Sequence, residues 1–158
     1  MSTALFQGSF DPFTVGHADI VRRALDIFDQ VVIAIVVNVE KKGLLSLEQR
    51  RSLIEQAFAN EQRVRVVASE KLTVEVARDE GATCLLRGVR TTQDFEYEQV
   101  MAQANRELGG LDTVLLFTRP EFAHVSSSLV RELLRFGRDV TSYLPAGVTL
   151  PPPLRPTP

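Results

Sequence analysis

Five short, mostly apolar runs recur along the chain: TALFQ (3–7), VVIAIVV (31–37), RVRVVA (63–68), ATCLL (82–86) and DTVLLFT (112–118). A helical pattern follows each of them. Apolar runs that do not alternate with polar residues belong to strands covered on both faces. In HADIVRRALDIF, Ile20, Val21, Ala24, Leu25, Ile27 and Phe28 mark one face, and Arg22, Arg23 and Asp26 fall mostly on the other. SLEQRRSLIEQAF opens with Ser46 and Gln49 at capping-box spacing, and Leu47, Leu53, Ile54 and Phe58 give it an apolar surface. A third helix fits TVEVARDE, stopped by Gly81 in a left-handed conformation, and a fourth runs from about Asp94 to Leu108 before Gly109 and Gly110. The last fits SSSLVRELLRF, ended by Gly137, with a shorter helical piece at VTSYL. Strand and helix repeated five times predict an α/β domain, a Rossmann-like doubly wound five-stranded parallel sheet with helices on both faces.

With 158 residues, 44% of them hydrophobic, the chain suffices for one domain over residues 1–150. The tail PPPLRPTP (151–158) cannot continue a helix and is expected to be extended or disordered. A net charge of -2 argues against a nonspecific nucleic-acid binder, although clustered arginines suit small anions. No segment approaches the roughly 18 apolar residues of a membrane span. MSTALFQG also lacks the basic flank and apolar run of a signal peptide, so a cytoplasmic location is expected. The single cysteine, Cys84, lies inside ATCLL and reads as a small buried hydrophobe.

In an open parallel sheet the ligand crevice lies beyond the carboxyl ends of the strands, and GSFDPFTVGH (8–17) is the first loop there. Gly8 lets backbone approach a ligand, and Ser9 offers a hydroxyl. Gly16 and His17 stand at a helix N-terminus, where free amides and the dipole favour anions and an imidazole N–H reaches phosphate oxygen. Asp11-Pro12 as a plain turn and His17 as a plain cap is the competing reading. Neither GxGxxG nor GxxxxGK[ST] is present, and no Cys/His spacing marks a metal site.

Thr14, Gly16 and His17 resemble the T/SxGH signature of the nucleotidyltransferase superfamily, whose members join a nucleoside monophosphate to a phosphate-bearing acceptor and release pyrophosphate. VSSSLVRELL (125–134) resembles the superfamily's ISSSxxR/K motif, and three serines opening a helix make a good cradle for phosphates, where an N-cap alone needs one. LLRGVRTTQDFEYEQVMAQANREL resembles the RGxRxxxDFEYE block of the phosphopantetheine adenylyltransferase family at Arg87, Gly88, Arg90, Asp94, Phe95, Glu96, Tyr97, Glu98 and Asn105. NVEKKGLLSLEQR resembles that family's loop before the second helix and points to Lys41 rather than Lys42.

The resemblance spans about residues 3–145 and implies transfer of the adenylyl group of ATP to 4'-phosphopantetheine, the penultimate step of coenzyme A synthesis. It implies catalytic roles for His17, Lys41, Arg90 and Ser128. It places ATP against Ser9, Phe10, His17, Gly88, Val89, Arg90, Glu98, Ala123, His124, Val125, Ser126, Ser127, Ser128 and Leu129. The acceptor falls to Ser9, Lys41, Thr73, Arg87 and Asn105. Also implied are Mg2+ carried by ATP with no protein metal site, coenzyme A as a feedback ligand, and a hexameric homo-oligomer. Gln7 departs from a common proline, Ser9 from a commoner threonine, and Phe122 and His124 from tryptophan and an apolar residue. A glycerol-phosphate cytidylyltransferase, or a nucleotide-binding regulatory protein without activity, are the alternatives.

Overall fold

In the computed structural model, which describes residues 1–152 and 154, each expected strand and helix is present. The strands are β1 (Thr3–Gly8), β2 (Gln30–Val36), β3 (Val64–Ser69), β4 (Cys84–Val89) and β5 (Thr113–Phe117). The helices are α1 (Val15–Ala24), α2 (Leu47–Ala57), α3 (Thr73–Asp79), α4 (Thr92–Gly109) and α5 (Ser127–Arg135). A 3-10 turn at Thr141–Tyr143 is the shorter helical piece. The sheet is wholly parallel in the order β3-β2-β1-β4-β5. The chain therefore reverses its direction of travel at β1, and the crevice of such a sheet opens between the carboxyl ends of β1 and β4.

Strand alternation divides the core into two layers. Phe6, Val31, Ile33, Ile35 and Leu86 face α1 and α2, where Ile20, Val21, Ala24 and Ile54 meet them. Leu5, Val32, Ala34 and Leu85 face the other side, against Val76 and Ala77 of α3. Each such aliphatic side chain, fully buried, contributes about 1.5–3 kcal/mol. A third cluster joins Leu45 and Leu53 at α2 to Val130 of α5 and to Val140, Leu144, Val148 and Leu150. Leu154, whose N–H bonds to the Pro151 carbonyl at 3.1 Å, packs on that cluster. Residues 153 and 155–158 of the tail expected to be extended or disordered lie outside the described residues.

Two boundaries differ from the sequence reading. Helix α1 stops at Ala24, because the amides of Asp26 and Ile27 turn back to the carbonyls of Arg23 and Ala24 in tight three-residue steps. Ile27 is thereby 55% exposed rather than on the buried face. Helix α4 begins two residues earlier than expected, since Thr91 caps it by accepting from the Asp94 N–H at 3.1 Å. It ends on Gly110 with φ 68°, a left-handed conformation that suits glycine. Gly81 and Gly137 also carry positive φ, and Cys84 is buried and free. Among the described residues no helix is long and apolar enough to cross a membrane.

Candidate active site

The crevice between β1 and β4 is a cleft of two lobes. A cavity of about 330 Å³ lies over α1 and α5, and one of about 450 Å³ lies toward α3 and α4. Gln7, Gly8, Ser9, Arg87 and Glu98 line both, so β1 and β4 form the shared wall. The N-termini of α1 and α5 both open on the first lobe, and neither carries an acidic residue in its first turn. Two helix dipoles thus favour an anion there.

The loop after β1 is shaped by close packing. Phe10 has φ 49°, and its ring lies so near the backbone that a Cβ on Gly8 would stand 3.0 Å from it. Phe10 meets the His17 ring edge-on at 5.1 Å, and Phe13 and Phe6 lie at 5.3 Å and 6.2 Å from it. The Asp11-Pro12 bond is cis. The buried Asp11 carboxylate accepts the amide N–H of Leu44 at 2.7 Å and of Leu45 at 2.8 Å, fixing the end of the β2–α2 loop to the β1 loop.

His17 takes the capping role that the sequence left open, with its ring on the wall of the first lobe. It is the third residue of the α1 capping box: Thr14 Oγ1 accepts the His17 N–H at 3.4 Å, and the Thr14 N–H donates to His17 Nδ1 at 3.0 Å. Nδ1 is therefore an acceptor, and the neutral ring carries its proton on Nε2. Burial, then the charges of Arg90 and Arg87, lower its pKa from 6.5 to about 4. The unfolded chain consequently takes up this proton before the folded one. The stabilisation is complete above pH 6.5 and is lost as pH falls toward about 4. In a His124→Gln background, which leaves one histidine, the His17 ring should titrate near pH 4 by NMR in the folded protein and near 6.5 in urea. A folded midpoint near 6.5 would contradict this account.

Arg87 and Glu98 make the central ion pair. Glu98, 7% exposed, accepts from Arg87 Nε at 2.9 Å and from NH2 at 2.7 Å, while NH1 donates to the Gln7 carbonyl at 2.6 Å. Arg90 is braced by Asp94, at 3.4 Å from Nε. The three serines divide their work. Ser126 caps α5 by accepting the Leu129 N–H at 3.1 Å, Ser127 donates to the Pro12 carbonyl at 2.8 Å, and Ser128 accepts from Arg131 NH2 at 3.1 Å.

Of the sequence candidates, Ser9, Phe10, His17, Gly88, Arg90, Glu98, Val125, Ser126, Ser127 and Ser128 line the first lobe. Ser9, Thr73, Arg87 and Asn105 line the second. Val89 turns into the core, Leu129 is half-buried in α5, and Ala123 and His124 are exposed, so these four stand outside the lining. Lys41 sits on the exposed β2–α2 loop, its amide bonded to the Asn38 carbonyl at 3.2 Å, and lines neither lobe. Arg131 was not singled out, yet it lines the first lobe and its NH1 donates to the Asp11 carbonyl at 2.8 Å. Its signal was the final position of SSSLVR. Tyr97 and Met101 line the second lobe with Asn105, a four-residue spacing along one face of α4 that sequence reading could have followed.

The carboxylates at the first lobe, Asp11, Asp94 and Glu98, are each engaged as described. Among the described residues no group of three His, Cys, Asp or Glu side chains could hold a metal ion.

The cytidylyltransferase-like family model matches residues 5–133. Phosphopantetheine adenylyltransferase from Porphyromonas gingivalis is 52% identical over 147 residues, covering 93% of this chain and 96% of that protein. The enzyme of that name from Phocaeicola vulgatus is 49% identical over 150 residues, covering 95% of this chain and 99% of that protein. Among solved structures, a bifunctional NMN adenylyltransferase/ADP ribose pyrophosphatase from Francisella tularensis superposes with TM-score 0.68 at 17% identity. The superposition covers 92% of this chain and 45% of that one, and shows a shared fold. By these likenesses the chain belongs to the cytidylyltransferase-like family and, within it, to the phosphopantetheine adenylyltransferases, which are nucleotidyltransferase enzymes.

Proposed function

We propose that this enzyme transfers the adenylyl group of ATP to 4'-phosphopantetheine, giving dephospho-coenzyme A and pyrophosphate. The observation that carries this reading is the two-lobed cleft, whose lobes meet at Gly8, Ser9 and Arg87. One lobe, with two helix N-termini, suits a nucleoside triphosphate, and the other, with mixed apolar and amide lining, suits a pantetheine arm. An oxygen of the acceptor phosphate attacks the α-phosphorus of ATP in line. The bond from that phosphorus to the bridging β-phosphate oxygen breaks, and pyrophosphate leaves without a covalent enzyme intermediate.

Catalysis then rests on position and charge. His17 donates Nε2–H to the α-phosphate as negative charge builds there, and its neutrality keeps this donor in place across the physiological range. Arg90 and the Ser126–Ser128 turn hold the leaving phosphates, with Arg131 beside them. Ser9 and Lys41 orient the attacking phosphate, and the loop carrying Lys41 moves toward the cleft when charged substrates arrive. Arg87 holds the acceptor end while paired to Glu98. Thr73 and Asn105 contact the arm. Mg2+ enters with ATP. Coenzyme A, which joins a pantetheine arm to an adenine nucleotide, would occupy both lobes and act as a feedback ligand in the cytoplasm.

Pyrophosphate release, with ATP and CTP crossed against 4'-phosphopantetheine and glycerol 3-phosphate, tests the reaction. Release is expected only with ATP and 4'-phosphopantetheine. Release with CTP and glycerol 3-phosphate would overturn it. Helix α4 supports a hexameric homo-oligomer: its only buried residue is Glu98, while Tyr97, Val100 and Leu108 are 60–69% exposed. Light scattering should give six times the 17.6 kDa chain mass, and a mass near 17.6 kDa would overturn the assembly.

A further inference from the structure

Gln7 is the last side chain of β1 on the face shared with Leu5, where the core toward α3 gives way to the second lobe. It is held from two directions. Its carbonyl accepts Arg87 NH1 at 2.6 Å, and its side-chain Oε1 accepts the Thr73 hydroxyl. Among the described residues, nothing accepts from Nε2, so a half-buried amide with a fixed orientation keeps two donors unused beside the lobe. These donors are open to whatever enters the lobe. The charged residues lining the lobe are all paired: Arg87 with Glu98, and Lys71 at 2.6 Å with Asp79, which lies outside the lining. Beyond the phosphate end, the lobe therefore selects by neutral hydrogen bonds.

We propose that the Gln7 side-chain amide is a specificity-determining group for the acceptor, donating from Nε2 to a hydroxyl or carbonyl oxygen on the arm just beyond its phosphate. This rests on the acceptor assigned above. The Thr73 hydroxyl sets the orientation, so Gln7 and Thr73 act as one unit on the arm. An acceptor whose arm offers no oxygen at this point gains nothing from Gln7 and is bound by its phosphate and apolar surface alone.

Gln7→Met keeps the length and unbranched shape of the side chain while removing both donors. It is expected to raise the KM for 4'-phosphopantetheine about tenfold, the cost of a lost hydrogen bond to an oxygen left unpaired. The KM for ATP, kcat, and the Ki of hexyl phosphate as an inhibitor competitive with the acceptor should stay within about twofold, since none of these involves the bond. In a Thr73→Val background, where the amide has lost its orientation, Gln7→Met should raise the KM by much less than in the wild type. An unchanged KM, a parallel rise in the Ki of hexyl phosphate, or a rise in the Thr73→Val background as large as that in the wild type would overturn this role of Gln7 while leaving the reaction standing. Wild-type protein silent with ATP and 4'-phosphopantetheine would overturn both.

Discussion

His17→Ala is expected to lower kcat by a factor of about 10²–10³, the usual cost of removing one donor aimed at developing charge. The KM for ATP should change far less, because the ring's contribution grows only as the α-phosphate gains charge in the transition state. The variant also loses the capping-box partner of Thr14, worth about 1 kcal/mol, so its Tm should fall by only a few degrees. Assays at 25 °C, with folding followed by circular dichroism, separate the two effects. His17→Gln places an amide N–H near the position of Nε2 and should recover part of the rate. Equal turnover in wild type and His17→Ala would remove His17 from the chemistry.

Arg87→Ala should be the most destabilising single change in the cleft. It strips both hydrogen-bonding partners from a carboxylate that is 7% exposed and leaves the Gln7 carbonyl without its donor. An uncompensated buried charge costs about 3–5 kcal/mol, and a Tm lower by about 10 °C follows for a chain of this size. Replacing both partners, as Arg87→Met with Glu98→Leu, should restore most of that Tm because no charge remains buried. Pyrophosphate release should stay absent in the double variant, since the cation at the junction of the lobes is gone. Thermal unfolding of the single and double variants checks this, and a Tm of Arg87→Ala equal to wild type would show that the pair does not hold the cleft together.

The sheet was readable because its inner strands β1, β2 and β4 are largely buried on both faces, and runs such as VVIAIVV have few other uses. Strand order was not readable, since which strands neighbour β1 depends on crossovers that carry no residue signature. The two helix-opening motifs were legible because TVGH and SSSLVR concentrate hydroxyls and glycine where amides are free. Glu98 was placed at the site from the resemblance, but its partnership with Arg87 depends on one turn of α4 lying over the end of β4. Arg131 reaches the Asp11 carbonyl across 120 residues of sequence, a pairing that periodicity cannot express. Ile27 continued the helical period in sequence, yet the backbone left the helix three residues before it.

The bonds from Ser127 to Pro12 and from Arg131 to Asp11 join the last helix to the first loop, 115 and 120 residues apart. During synthesis the β1 loop leaves the ribosome early and waits for α5, the final long helix, before the phosphate end of the cleft has both of its walls. The first lobe is therefore a late product of synthesis, incomplete until the residues through Arg135 have emerged and docked.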